Sequence, residues 1–546
     1  MEISTDELFE DITATKLKTY LKKTGIKYQE SNFLFTALES NCGKEIFEVL
    51  FEYGCDKFLN EQYQFRNFLE YALEEKTPLS LIKYFVSKGA NPKMVNSMNS
   101  STLLHFCIRR KLGREYLNYF SSFIPIMTKD GGGNTTFDYL FQEEIYDPEI
   151  FLFFVDNLKD INHTNPHLNE NLLFLACKAR HPNLELIQKL VGKGIDVDHF
   201  NDLALNAFCY LFTRDLSQDV IQFFLDQNQN INCLAENSRT LLMGVCQNNA
   251  DLIVFCLRNG ADARLLTHQN ESALHFLLKN KNSQLKHFKL LKDYGVGFNA
   301  RNSKGQTALD LALQKMHGDL QILEFLIQNT CLYSSNKHNL NPLAIALRNR
   351  LPLKIIKCII ENSSNFNQKR VYGEYPIFHA TSQSLPLDHQ TIEYLVKEKG
   401  VKFDFRNANK LLPIEQVITN TPLQLKTVKL LIHSKMDLNN PEHKPLFFTL
   451  ARNPKFSPEI WDFFLDFGVD INRKSLKSHS NLLTYTIKHK KFDIFKYLIN
   501  LNMLDVNHVN KKKETPVFLA SRMELIEYLE LMNSQGAYYD HKVIVN

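Results

Sequence analysis

A six-residue pattern of the Thr-Pro-Leu-His-x-Ala type returns along the chain, and its spacing limits the fold more than any other feature. Clear copies are TLLHFC at 102, TLLMGV at 240, SALHFL at 272, TALDLA at 307, NPLAIA at 341 and TPVFLA at 515. Weaker ones open at 32, 67, 135, 171, 206, 375, 412, 444 and 481, so that neighbouring openers stand 32 to 37 residues apart and the phase is never lost. A fixed period of this length means one supersecondary unit, repeated, that buries its apolar face only by stacking on its neighbours.

Each unit follows the same plan. A short apolar segment meets a polar or Pro-containing break. A longer amphipathic run follows, such as ADLIVFCLRNG, LKIIKCIIENS or EIWDFFLDFG, with apolar residues at i, i+3 and i+4. Many of these runs stop at a glycine, the residue that most readily ends a helix in the left-handed conformation: Gly54, Gly89, Gly194, Gly260, Gly295, Gly400, Gly468 and Gly536. About a dozen polar residues then lead to the next opener. The pattern predicts helix, turn, helix and extended loop, an all-α array.

Composition suits such an array. The chain has 546 residues, beyond the roughly 250–300 at which one globular core stops growing, with 44% hydrophobic residues, 41 Phe and 21 Tyr to fill a long core. The ten cysteines form no Cys-x-x-Cys, and several lie inside apolar segments, where a reduced thiol acts as a small hydrophobe. The acidic start MEISTDELFEDITATK carries no apolar leader segment, and the apolar runs are far shorter than the ~20 residues of a membrane span. These features predict a cytoplasmic protein.

The period, the openers and the closers GANP (89–92), GIDVD (194–198), GADAR (260–264), GVDIN (468–472) and GAYYD (536–540) resemble ankyrin repeats. The resemblance runs from about 32 to 546, with 1–31 as a degenerate N-terminal cap, seven units over 32–271, and the remainder with a C-terminal cap over 272–546. It implies an ankyrin-repeat solenoid, in which the loops form fingers beside a concave binding face. Tetratricopeptide repeats share the period but lack the polar finger and the opener. The resemblance also implies that His105 and His275 bond neighbouring backbone and tie adjacent fingers; His379 lies one position out of register and inherits no such role. Units opening at 102, 135, 206, 307, 341, 412 and 481 lack the terminal glycine. The stretch 102–170, with FSSFIPIMTKDGGGN in place of a Gly-Ala-Asp ending, departs furthest and is expected to couple more weakly.

Motifs that suggest chemistry do not carry it. GGGNTT (131–136) lacks the Gly-Lys-Ser/Thr of a phosphate loop. DVDHFND (196–202) lacks the sixth-position Gly and terminal Glu of a calcium loop. No nucleophile elbow occurs, and no segment outside the repeats is long enough for a catalytic domain. The expectation is a non-enzymatic, monomeric interaction module with no cofactor and no metal site.

Charge along the fingers is polarised. The seven fingers before residue 272 hold 7 Lys/Arg against 11 Asp/Glu, and the seven after it hold 16 against 7. The candidate partner-binding residues are therefore Arg301, Lys304, Lys369, Arg370, Arg406, Lys410, Arg473, Lys474, Lys477, Lys511, Lys512 and Lys513, and the expected partner is a protein with an acidic segment. Binding of nucleic acid or an anionic membrane through the same fingers is the alternative, against which stands the lack of recurring aromatic–basic alternation. A further row of cations ends the first helices (Lys178, Arg180, Lys279, Lys281, Arg348, Arg350, Lys488, Lys490), where they complement the helix dipole.

Overall fold

The computed structural model describes residues 12–24, 32–214, 216–315, 319–338, 340–363, 375–381, 388–418, 423–433, 436–440 and 444–537, except Gln64, Lys402, Phe405 and Ala408, together with Phe9 and Phe366. The chain divides into two compact units, one of Met1–His268 with Lys279–Asn282 and one of Gln269–Leu278 with Ser283–Asn546. Both are helical solenoids. Among the described residues, strand structure is confined to the hairpin pairing Gln62–Tyr63 with Arg66–Asn67 and a bridge between Ala235 and Arg239.

Local chemistry sets each repeat. The opener's polar residue is the N-cap of the first helix: the side chains of Thr135, Asn171, Asn206, Thr240, Asn341, Asn481 and Thr515 each accept an amide of the first turn. The first helix is short, for example Leu103–Arg109, Leu172–Lys178 and Leu482–Lys488, and buried almost all round. The second is longer and amphipathic, for example Leu184–Gly192 and Phe492–Asn500, and buries one stripe. First helices pack on first helices and second on second: Leu103–Arg109 lies beside Thr136–Gln142, and Arg114–Ser121 beside Pro148–Asn157. The aromatic residues fill the interior of these layers. Phe47, Phe85, Phe120, Phe154 and Phe224 come from second helices, Phe35, Phe68, Phe137, Phe174 and Phe208 from first ones.

Left-handed residues punctuate the unit at three places. All eight helix-ending glycines have φ between 58° and 108°. A Cβ at Gly54, Gly194 or Gly260 would meet open space, so backbone conformation, not crowding, selects glycine there. The turn between the two helices uses a non-glycine residue at positive φ, including Asn41, Lys76, Lys111, Glu144, Arg350, Lys490 and Glu524. Finger tips do the same at Ser100, Asn169, Ala204, Asn270, Lys410, His479 and Lys513.

Candidate partner-binding surface

The fingers are built from side chain to backbone bonds. Thr102 donates its amide to Nδ1 of His105 (3.1 Å), which places the imidazole proton on Nε2, 3.1 Å from the carbonyl of Asn134 in the next finger. His275 repeats this with Ser272 (3.1 Å) and Gln306 (3.2 Å). Both imidazoles are fully buried, and burial lowers the pKa of His105, so the neutral form that the bonds require is the stable one. His268 behaves differently: it is exposed, with Nε2 3.0 Å from Ser238 Oγ and its amide on the carbonyl of Asn237.

Two asparagine series escaped the sequence reading. An Asn or Asp five or six residues before several openers turns the finger by accepting amides further along it. Asn302 accepts from Lys304 and Gln306, Asn407 from Asn409 and Leu411, Asn510 from Lys512 and Glu514, and Asp130 from Gly132 and Asn134. A second series stitches the ends of successive second helices. Asn232 donates to the carbonyl of Gly260 (2.9 Å) and accepts the amide of Asp262 (2.8 Å). Asn439 makes the same pair with Gly468 and Asp470, both 2.8 Å, and Asn60 and Asn162 do so one and four units from the N-terminal end of the array. The signal was present as an Asn at fixed phase, but a count of charge alone does not register amides.

The motifs set aside above have finger roles. Gly131 donates its amide to Asn99 (2.7 Å), and a Cβ there would lie 2.8 Å from the Asn99 oxygen, so close approach of two fingers requires glycine. In DVDHFND, Asp196 accepts the amide of Asp198, and Asp198 accepts from Gln229 (2.6 Å). Among the described residues no cluster of three or more His, Cys, Asp or Glu side chains could hold a metal ion.

The candidate cations divide by type. Arg301 donates to the carbonyls of Gly305 (2.5 Å) and Ser335 (3.1 Å), Arg406 to Lys410 (2.8 Å) and to the buried Glu415 (2.7 Å), and Arg473 to Asn440 (2.8 Å). These three guanidinium groups brace fingers. Lys304, Lys410, Lys474, Lys477, Lys511, Lys512 and Lys513 are exposed, and for Lys304, Lys511, Lys512 and Lys513 the backbone amide is held in the finger. Lys369 and Arg370 lie outside the described residues. Of the row of cations at the first-helix ends, Arg180, Lys279, Lys281, Arg348, Lys488 and Lys490 are exposed, whereas Lys178 pairs with buried Glu170 (2.5 Å) and Arg350 donates to the carbonyl of Ala380.

In the second unit, two of the lysine-bearing fingers overhang a cleft of about 560 Å³. Its floor comes from the first helices Leu446–Leu450, Leu482–Lys488 and Pro516–Arg522, and its roof from the fingers around Ser475–Ser480 and Asn510–Glu514. Phe448 and Tyr485 meet edge to face in the floor at 5.4 Å, and Tyr485 lies 4.3 Å from His489. Lys444, Arg452, Lys477, Lys488, Lys512 and Arg522 line it against a single carboxylate, Glu514, which pairs with Arg522 at 3.0 Å. Burial and the neighbouring lysines and Arg452 lower the pKa of His489, consistent with a positive field in the cleft.

A polar finger face on a scaffold of stacked helix pairs defines a helical-repeat solenoid. Residues 241–338 match the family model for ankyrin repeats, in three copies, and the helical architecture is that of an ankyrin-repeat solenoid. Ankyrin repeats are protein–protein interaction modules, and the family is generally non-enzymatic. Alpha-latroinsectotoxin-Lt1a of Latrodectus tredecimguttatus is 21% identical over 341 residues, covering 61% of this chain and 22% of the toxin. The match therefore spans about a fifth of that relative's length. No described helix is long and apolar enough to cross a membrane.

Proposed function

We propose that the chain is a non-enzymatic scaffold that captures an acidic segment of a protein partner on the fingers of its second unit. The observation that carries this reading is the division of labour among the cations. Arginines at 301, 406 and 473 are consumed in bracing the fingers, whereas Lys474, Lys477, Lys511, Lys512 and Lys513 stand exposed on two successive fingers. A lysine ammonium on a flexible stem adapts to carboxylates at many spacings, so such a surface steers and selects acidic partners without demanding one geometry. The six buried cysteines, packed as small apolar side chains, suit the reducing cytoplasm, where this reading places the protein.

The test uses a fluorescent peptide of alternating Asp and Glu, titrated with the full chain across a salt series. Lys474→Glu, Lys477→Glu and Lys512→Glu together are expected to weaken binding at least tenfold and to flatten its salt dependence. Unchanged affinity and slope would defeat the reading. Tighter binding of a single-stranded oligonucleotide of equal charge would transfer the surface to nucleic acid.

A further inference from the structure

The cleft under the 475–480 and 510–514 fingers has a property that charge alone does not need. Its lining is cationic but also carries apolar surface: Leu476, itself 48% exposed, shares the cleft with Phe448, Tyr485, Leu519 and Met523. A site built for a flat polyanion would place donors across its base. Here the cations share the lining with aromatic and aliphatic surface from Phe448, Tyr485, Leu519 and Met523.

We infer that this cleft is a specificity pocket that takes a large apolar side chain, Phe or Leu, flanked by carboxylates in one continuous peptide segment of the partner. The inference rests on the acidic-partner reading above and deepens it. A volume near 560 Å³ exceeds one side chain and suits an anchor residue together with its immediate neighbours. An aromatic anchor finds the edges and faces of Phe448 and Tyr485, already arranged at 5.4 Å, and a mobile thioether in Met523 that moulds to its shape. Lys444, Lys477, Lys488 and Lys512 then meet the flanking carboxylates.

Glu514 argues for a peptide over a phosphate-bearing ligand. Its carboxylate, with Oε1 on Arg522 and Oε2 3.1 Å from Asn510 Nδ2, stands in the wall as half of an ion pair. The same carboxylate retains acceptor capacity for a peptide N–H. It also withdraws one of the two arginines in the cleft from bidentate phosphate recognition, leaving a rim dominated by lysine.

The experiment compares two labelled peptides with identical Asp/Glu flanks, one with a central Leu-Phe pair and the other with Ala-Ala, by fluorescence anisotropy with the full chain. The anchored peptide is expected to bind roughly tenfold more tightly, the increment of burying part of one large apolar side chain. In Leu476→Ser with Met523→Ser, two positions outside the buried core, the two peptides are expected to bind alike, at the weaker affinity. Circular dichroism and Trp461 fluorescence check that this variant is folded. Lys477→Glu with Lys512→Glu is expected to weaken both peptides. Equal binding of the two peptides to the wild-type chain would overturn the pocket while leaving the acidic-partner reading intact. Failure of both to bind would remove that reading and the pocket with it. Retention of the tenfold preference in the folded serine variant would place the anchor elsewhere and overturn the assignment.

Discussion

His379 carries no inherited role, yet its surroundings disfavour the charged imidazole. Burial, aided by the nearby Arg348 charge, pushes its pKa down to about 4. A folded-state value below the ordinary unfolded value of about 6.5 means that the unfolded chain takes up the proton first. Its contribution is therefore whole above about pH 6.5 and is lost as pH falls from there toward about 4. Acidifying from pH 7 to 5 should cost the second unit about 1–2 kcal/mol through this residue, and His379→Gln should remove that increment. Urea midpoints at the two pH values check it, and an unchanged difference between wild type and variant would sink the assignment. Among the cations, Arg301 and Lys304 make a paired control three residues apart. Arg301→Ala should destabilise by about 1–3 kcal/mol because two finger carbonyls lose their donor, whereas Lys304→Ala should change stability by less than about 0.5 kcal/mol.

The helix pair and its caps are local devices, and their weak points are equally local. Lys111 sits at φ 54° between Leu103–Arg109 and Arg114–Ser121. A left-handed residue with a Cβ costs about 1–2 kcal/mol, part of which glycine returns as chain entropy. Lys111→Gly should therefore raise stability by about 0.5–1 kcal/mol, read as a shift of the denaturation midpoint. The asparagine ladder is a second such device. Pro125 stands where Asn91, Asp196, Asp262 and Asp470 hand an amide to the preceding asparagine, and proline has no N–H to offer. This supplies a physical reason for looser coupling in 102–170, although Gly131 on Asn99 and His105 on Asn134 tie its fingers. Hydrogen exchange is expected to reach the helix ends of this stretch before those of 232–268; the reverse order would refute the argument.

A molecule stabilised by nearest neighbours need not unfold as one. The chain holds a single tryptophan, Trp461, fully buried in the second unit against Phe447, Phe456 and Tyr497. Its fluorescence reports that unit alone, while far-ultraviolet circular dichroism reports helices of both. The two probes are expected to give different denaturant midpoints. Coincident curves would establish all-or-none unfolding and overturn this expectation.

Period, helix faces and the helix-ending glycines were legible in the amino-acid order because each depends on residues a few places apart. Capping, amphipathic burial and the left-handed turn are decided within one repeat. The asparagine series that stitches successive helix ends was equally present in the order but silent, since its amides have meaning only when a carbonyl from the next repeat stands opposite them. Finger charge was legible as a sum and not as a surface. Only stacking separated Arg301, Arg406 and Arg473, bound to backbone oxygen, from the lysines left in water. The cleft lay further still from the one-dimensional record. Its floor draws Phe448, Tyr485 and Leu519 from three consecutive repeats, and its roof draws Leu476 and Lys512 from two fingers. The spacing of the repeats dictates that such residues come near one another. The volume between them, and the counter-charge of Glu514 in its wall, exist only once the repeats have packed.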